Sequence, residues 1–205
     1  METGHAELKQ TVFIVEDDAA IGEALCDLLA SAGFAARWFG SAEEFVDVWS
    51  PEMAGCLVLD VRLPGLGGME LQAQFAESGI PIPIVVITAH GDVPMARKAL
   101  KAGAVEFLPK PFQDEEFLQI VGAAFALDRE RRKESRISNS IRARVESLSK
   151  REREVVEFVT SGLTNREIAE KLNLSIVTVK LYRRLAMQKL EVDRLADLVR
   201  LWEKQ

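Results

Sequence analysis

Five side chains could act together on a phosphoryl group if the chain gathers them. Glu16 and Asp17 follow the apolar run Thr11–Val15, Asp60 follows Cys56–Leu59, Thr88 closes Ile82–Thr88, and Lys110 comes soon after Val105–Leu108. Each run is short, apolar and rich in β-branched residues, as a buried strand is. In a doubly wound sheet, ligands sit beyond the carboxyl ends of the strands, so these five residues would share one edge. Clustered carboxylates repel and raise one another's pKa unless a cation neutralises them. An all-oxygen donor set suits a hard ion such as Mg²⁺, which also binds phosphate oxygens. Lys110 adds a point charge and Thr88 a hydrogen-bond donor. That set suits phosphoryl transfer, with Asp60 as the nucleophile forming an aspartyl phosphate. Singly, each residue is ordinary. An acid after a strand often caps the next helix, and Asp18 is read that way. What points to chemistry is the right residue type at four strand ends at once.

A second group lies near the C-terminus. On the stretch 176–190, Val179, Tyr182, Ala186 and Leu190 make one apolar stripe, while Lys180, Leu181, Arg184 and Gln188 fall on the opposite face. Lys180, Arg183, Arg184 and Lys189 give this helix a charge of +4, with no acid. A helix packed on one side and basic on the other suits a DNA major groove, where Arg and Lys reach phosphates or guanine edges and Leu a thymine methyl. A solvated basic helix has the same composition, so the pattern alone favours DNA only modestly.

The elements that must position these groups come in two kinds. Up to residue 127, strand-like runs (with a weaker one at Ala35–Phe39) alternate with helical patterns at Ala19–Ala32, Ala42–Trp49, Gly68–Glu77, Val93–Ala102 and from Gln113 onward. Near-continuous apolar strands separated by helices predict a five-stranded parallel sheet covered on both faces, a doubly wound α/β domain. The helix from Gln113 runs into the charged stretch Asp128–Glu134, read as a solvated face or linker, with a break expected at Ser138–Ser140. Beyond it only helices are predicted. Ser41 with Glu44, Ser149 with Glu152 and Thr164 with Glu167 have capping-box spacing. Ser175 and Asp193 are candidate N-caps for the last two of four short helices, a small all-α domain. A short turn at Asn173–Ser175 makes two of these a helix-turn-helix.

Charge supports the division. Residues 1–127 hold 7 Lys+Arg against 19 Asp+Glu, a net −12, and residues 128–205 hold 19 against 13, a net +6. A sign change between halves suggests different partners, the basic half meeting nucleic acid. The longest apolar stretch, Gly79–Ala89, is too short to span a bilayer and carries two prolines. The N-terminus lacks the basic start and apolar core of a secretory signal. Cys26 and Cys56 form no CxxC, so neither a disulfide framework nor a zinc site is indicated, and a reducing cytoplasm is expected.

The segments Val15-Glu-Asp-Asp, Leu59-Asp-Val-Arg-Leu-Pro-Gly, Ile87-Thr-Ala-His and Leu108-Pro-Lys-Pro-Phe together resemble the receiver domain of two-component response regulators, over about residues 10–127. The resemblance implies that Asp60 is the phosphoacceptor. It implies that Asp17, Asp60 and the Arg62 backbone carbonyl hold Mg²⁺, with Glu16 acting through water. Thr88 and Lys110 would bind the phosphoryl group, Phe107 would be the aromatic switch residue, and Lys110–Pro111 would be cis. Glu16 stands where many members have Asp, and both occur in the family. The Arg62 side chain and His90 occupy positions that tune phosphoryl lifetime.

Leu148-Ser-Lys-Arg-Glu-Arg-Glu-Val-Val, Gly162-Leu-Thr-Asn-Arg-Glu-Ile-Ala and Thr178-Val-Lys…Lys189-Leu resemble the LuxR-type four-helix DNA-binding domain, over about residues 144–205. Residues 128–143 would then be a charged helical linker. The resemblance implies base contacts from Lys180, Leu181 and Arg184, and backbone contacts from Thr178 and Arg183. Ile176-Val177 and Tyr182 depart from the commoner residues at their positions and leave the DNA contacts less defined.

The whole chain is thus similar to response regulators of the FixJ/NarL type. The expected function is DNA-binding transcription control, switched by a histidine kinase that phosphorylates Asp60 and promotes homodimerisation. Two-fold pairing would match an operator of two half-sites. The chain is not expected to be an enzyme beyond removing its own phosphoryl group. An aspartyl-phosphate phosphatase or mutase would need a second Asp two residues after the nucleophile, where Arg62 stands. A DNA-binding protein independent of phosphorylation is a further alternative, opposed by the intact acidic set. A nucleotide-binding role is disfavoured because no Gly-rich loop follows the first strand.

Overall fold

The computed structural model describes residues 10–89 and 92–203. His5 and His90 lie outside the described residues. The chain divides after Arg132 into two compact units.

In the first unit, β1 (Thr11–Val15), β2 (Ala35–Phe39), β3 (Gly55–Asp60), β4 (Ile84–Thr88) and β5 (Glu106–Pro109) form one sheet in the order β2-β1-β3-β4-β5. Every pairing is parallel. The helices are α1 (Ala19–Ser31), α2 (Ala42–Val48), α3 (Gly68–Glu77), α4 (Val93–Lys101) and the first part of α5 (Asp114–Glu146), whose last part belongs to the second unit. Alternation along the strands sorts the core into two layers. Val12, Ile14, Val58, Val85 and Ile87 face Leu25 and Leu29 of α1 and Phe117 and Val121 of α5. Phe13, Val15, Leu57, Leu59 and Val86 face Phe45 of α2, Leu71 and Phe75 of α3 and Ala99 of α4. β3 is buried along its whole length, as expected for the middle strand of a sheet covered on both faces. This fold puts the residues that follow β1, β3, β4 and β5 at one edge.

In the second unit, Val145 and Leu148 pack with α6 (Lys150–Thr160), α7 (Asn165–Leu172), α8 (Ile176–Lys189) and α9 (Leu195–Trp202) around Val155, Val159, Ile168, Val179, Ala186, Leu190 and Leu198. Val179, Ala186 and Leu190, from the predicted stripe of α8, are fully buried, and Tyr182 packs against them half-buried. The capping boxes at Ser149–Glu152 and Thr164–Glu167 close reciprocally. Between α7 and α8, Asn173 takes a left-handed conformation, φ 54°. Asn tolerates this better than most residues because its short side chain can hydrogen-bond locally.

Several local expectations are corrected. No break occurs at Ser138–Ser140, because α5 continues through them to Glu146. Three polar residues with good alternative local bonds are not enough to end a helix. Ser41 caps α2 through the Glu44 N–H, but Glu44 returns its carboxylate to Gly40 N–H instead, so that box does not close. Asp193 does not cap α9, whose N-cap is Arg194 with no side-chain bond. Asp128, read as part of a solvated run, is buried. Its carboxylate accepts from Gly55 N–H at 2.9 Å, Gln10 Nε2 at 3.0 Å and Arg132 Nε at 2.8 Å. Arg132 in turn donates to the carbonyls of Pro51 and Met53, and Arg131 to that of Pro81.

Candidate functional site

Glu16 ends the β1 run by pairing its backbone N–H with the Phe39 carbonyl, which leaves its side chain at the sheet edge. Trp38 donates its indole N–H to the Glu16 carbonyl at 2.7 Å, a support that sequence reasoning missed because the two are 22 residues apart. Asp18 caps α1 through the N–H groups of Ala20 and Ile21, so it is occupied locally, as expected. Asp60 is the last residue of β3 and is buried. Its carbonyl lies against Gly68, where a Cβ would come within 1.9 Å of the oxygen, so only glycine lets α3 start this close to Asp60.

Among the described residues, Glu16, Asp17 and Asp60 each place one carboxylate oxygen within 4.8 Å of the others, Asp17 being exposed and the other two buried. Lys110 reaches into this group. Its Nζ donates to Asp60 Oδ2 at 2.6 Å and to Glu16 Oε2 at 2.5 Å. The other Asp60 oxygen, Oδ1, accepts the Arg62 backbone N–H at 2.8 Å. Both oxygens of the carboxylate are therefore held. Lys110 is itself fixed by its backbone N–H to the Thr88 carbonyl at 2.7 Å, and the Lys110–Pro111 bond is cis. Thr88 is buried at the end of β4, and Phe107 lies half-buried on β5 beside Val86, against the second core layer. Glu16, Asp17, Asp60, Arg62, Thr88 and Lys110 thus lie at neighbouring strand ends or in the loops that follow them, and Phe107 lies within β5. The Arg62 side chain points out and is exposed.

The electrostatics follow from burial. Desolvation pushes the Glu16 carboxyl up to about 7, Asp60 pushes the same way, and the Lys110 ammonium opposes both. Burial alone would lower the Lys110 pKa, but its hydrogen bonds to Asp60 and Glu16 outweigh that and raise it. Three carboxylates against one ammonium leave an excess of two negative charges when all are ionised. A divalent cation would balance it, and the donors are all oxygen, so the set is compatible with Mg²⁺.

On the second unit, Lys180, Leu181 and Arg184 of α8 are exposed, as are Ile176 and Val177 at its start. Thr178 is half-buried with its hydroxyl 2.8 Å from that of Ser175, and Arg183 is half-buried with Nη1 3.5 Å from Asn165 Oδ1. Lys180, Arg183 and Arg184 line one groove with Met187 and Gln188. Lys189 is exposed but engaged within the domain, donating to Glu152 Oε2 at 2.6 Å and to the Ser147 carbonyl. Burial would raise the Glu152 pKa, but Lys189 and the Ser149 N–H hold it below the usual range. The basic charge offered outward by α8 is therefore smaller than its composition suggests.

Comparison with known proteins decides the family. Residues 12–122 match the model of the response regulator receiver domain, and residues 146–202 that of the bacterial regulatory proteins of the luxR family. The chain belongs to the response regulators. It is 46% identical over 202 residues to Nodulation protein W of Bradyrhizobium diazoefficiens, covering 98% of this chain and 89% of that protein. It is 41% identical over 193 residues to the transcriptional regulatory protein FixJ of the same organism, covering 94% of each. Among solved structures, the response regulator StyR superposes with a TM-score of 0.88 at 46% identity, covering 96% of this chain and 100% of StyR. Full-length FixJ from B. japonicum gives 0.57 at 40% identity, covering 97% and 98%. The regulator is a phosphorylation-controlled transcription factor with a receiver and a LuxR-type DNA-binding domain. Among the described residues no helix is long and apolar enough to cross a membrane.

Proposed function

We propose that the regulator takes a phosphoryl group from a histidine kinase onto Asp60, and that this promotes homodimerisation and promoter binding. The observation that carries this assignment is the Asp60 carboxylate held between Lys110 Nζ and the Arg62 N–H, beside Glu16 and Asp17. In the transfer, a bond forms from an Asp60 oxygen to phosphorus as the bond from phosphorus to the kinase histidine nitrogen breaks. Mg²⁺ would be held by Asp17, Asp60 and the Arg62 carbonyl, with Glu16 acting through water. It would neutralise charge on the transferring group. Lys110 then exchanges its bond to Asp60 for one to a phosphoryl oxygen, and the Thr88 hydroxyl donates to another. Movement of Thr88 leaves room for Phe107 to turn, which repacks the face made by α4, β5 and α5. Slow attack of water on the aspartyl phosphate returns the regulator to its resting state.

On the DNA-binding side, Lys180, Leu181 and Arg184 contact base edges, and Thr178 and Arg183 the backbone. Incubation with acetyl phosphate and Mg²⁺ should add the mass of one phosphoryl group to the wild-type chain and none to Asp60→Asn. Stoichiometric labelling of Asp60→Asn would place the acceptor elsewhere.

A further inference from the structure

The loop from Val61 to Gly67 carries the Arg62 carbonyl and joins Asp60 to α3. Its base is closed by the Gly68 N–H on the Val61 carbonyl at 3.2 Å. Its tip is held from a different element. Glu43, in the first turn of α2, accepts the Leu66 N–H on Oε1 at 2.8 Å, across 23 residues. The fit is close, because a Cβ on Gly65 would lie 2.4 Å from that same oxygen, and Gly65 takes φ +73°. An acid in a first helical turn commonly serves the helix dipole alone. Glu43 does more, because its carboxylate is directed out of α2 onto a neighbouring loop. That backbone hydrogen bond also holds the Glu43 carboxyl below the usual range. Its neighbour Glu44 takes the local role by accepting Gly40 N–H.

We infer that Glu43 is a positioning residue for the Asp60 site: its carboxylate clasps the tip of the β3–α3 loop and so sets where the Arg62 carbonyl lies beside Asp60. The inference rests on the Asp60 site being the cation and phosphoryl site proposed above. The loop is pinned at its base by the Gly68 N–H on the Val61 carbonyl and the Arg62 N–H on Asp60 Oδ1, and at its tip by Glu43, with the Arg62 carbonyl between them. Releasing the tip lets the carbonyl swing while the carboxylates of Glu16, Asp17 and Asp60 stay in place. The cation would then lose one oriented oxygen and keep its charged ligands, so binding weakens without vanishing. Supporting contacts of this kind are worth about 10–100-fold in metal affinity where they hold a ligand directly. Acting through four residues of loop, Glu43 should sit at or below the lower end.

The experiment uses the full chain with magnesium chloride alone, followed by calorimetric titration and by the tryptophan fluorescence, to which Trp38, whose indole donates to the Glu16 carbonyl, contributes. Glu43→Ala should weaken Mg²⁺ binding about 5–10-fold and slow labelling by acetyl phosphate at subsaturating Mg²⁺. Saturating Mg²⁺ should recover most of the rate. Glu43→Gln, which keeps an oxygen acceptor for Leu66 N–H, should recover most of the affinity. Gly65→Ala, which crowds the clasp from the other side, should lose it like Glu43→Ala. Amide hydrogen exchange at Leu66 reports the clasp itself. Faster exchange at Leu66 in Glu43→Ala with wild-type Mg²⁺ affinity would overturn the positioning role. Failure of the wild-type chain to bind Mg²⁺ at all would overturn the assignment of the site, and the role of Glu43 with it.

Discussion

Glu16 carries the most informative balance in the site. Its carboxyl is raised to about 7 mainly by burial, against an ordinary value of 4.5, so below neutrality it keeps a proton that the unfolded chain has lost. Without metal, its contribution to stability is therefore full below about pH 4.5 and lost as pH rises through about 7. A cation reverses the sign, because it favours the ionised form and must displace that proton. Mg²⁺ affinity should rise between pH 6 and pH 8 and level off above. Glu16→Gln should flatten that rise while weakening binding, as a calorimetric titration at the two pH values would show. An equal pH dependence in the variant would remove Glu16 from the titrating set. Asp60 and Lys110 were legible at this scale because each stands at or just after the end of a short apolar run. Glu43 and Trp38 were not, since their bonds to the site cross 23 and 22 residues and involve backbone groups that no sequence pattern marks.

At the scale of elements, the strands and most helices were legible, because short apolar runs and 3.6-residue spacing are carried by the residues themselves, while the end of α5 was not. What the pattern could not supply was the partner of a polar residue. Asp128 reads as one charge in a charged run, yet it satisfies Gly55 N–H and Gln10 and pairs with Arg132. Asp128→Ala should destabilise the receiver by about 3 kcal/mol, the lower end for breaking a buried pair. Denaturation followed by Trp38 and Trp49 fluorescence would measure it, and a loss under about 1 kcal/mol would mean the network is dispensable. On α8, composition gives four cations, but Lys189 pairs with Glu152 and donates to the Ser147 carbonyl. The cations lining the α8 groove are then Lys180, Arg183 and Arg184. The double substitution Lys180→Ala with Arg184→Ala should weaken binding to a selected DNA site at least about tenfold, since each good base contact is worth about 1–3 kcal/mol. Asp60 labelling should stay intact. Unchanged DNA affinity in this variant would rule out α8 as the recognition helix.

For the whole molecule, the net charge of −6 averages two opposite surfaces, −12 over residues 1–127 and +6 over 128–205. The acidic half includes the clustered carboxylates of Glu16, Asp17 and Asp60, and the basic half includes the exposed face of α8. The proposed function joins them into one device, in which chemistry at Asp60 would alter affinity for DNA. Such coupling is worth about 5–150-fold in affinity for typical allosteric pairs. The measurement that tests this most directly is fluorescence anisotropy on a DNA site selected from random sequence, for wild-type chain and Asp60→Asn, with and without acetyl phosphate and Mg²⁺. Phosphorylation of Asp60 should tighten wild-type binding at least about tenfold and leave Asp60→Asn unchanged. Equal tightening in Asp60→Asn, or no tightening in a stoichiometrically phosphorylated wild-type chain, would contradict the account.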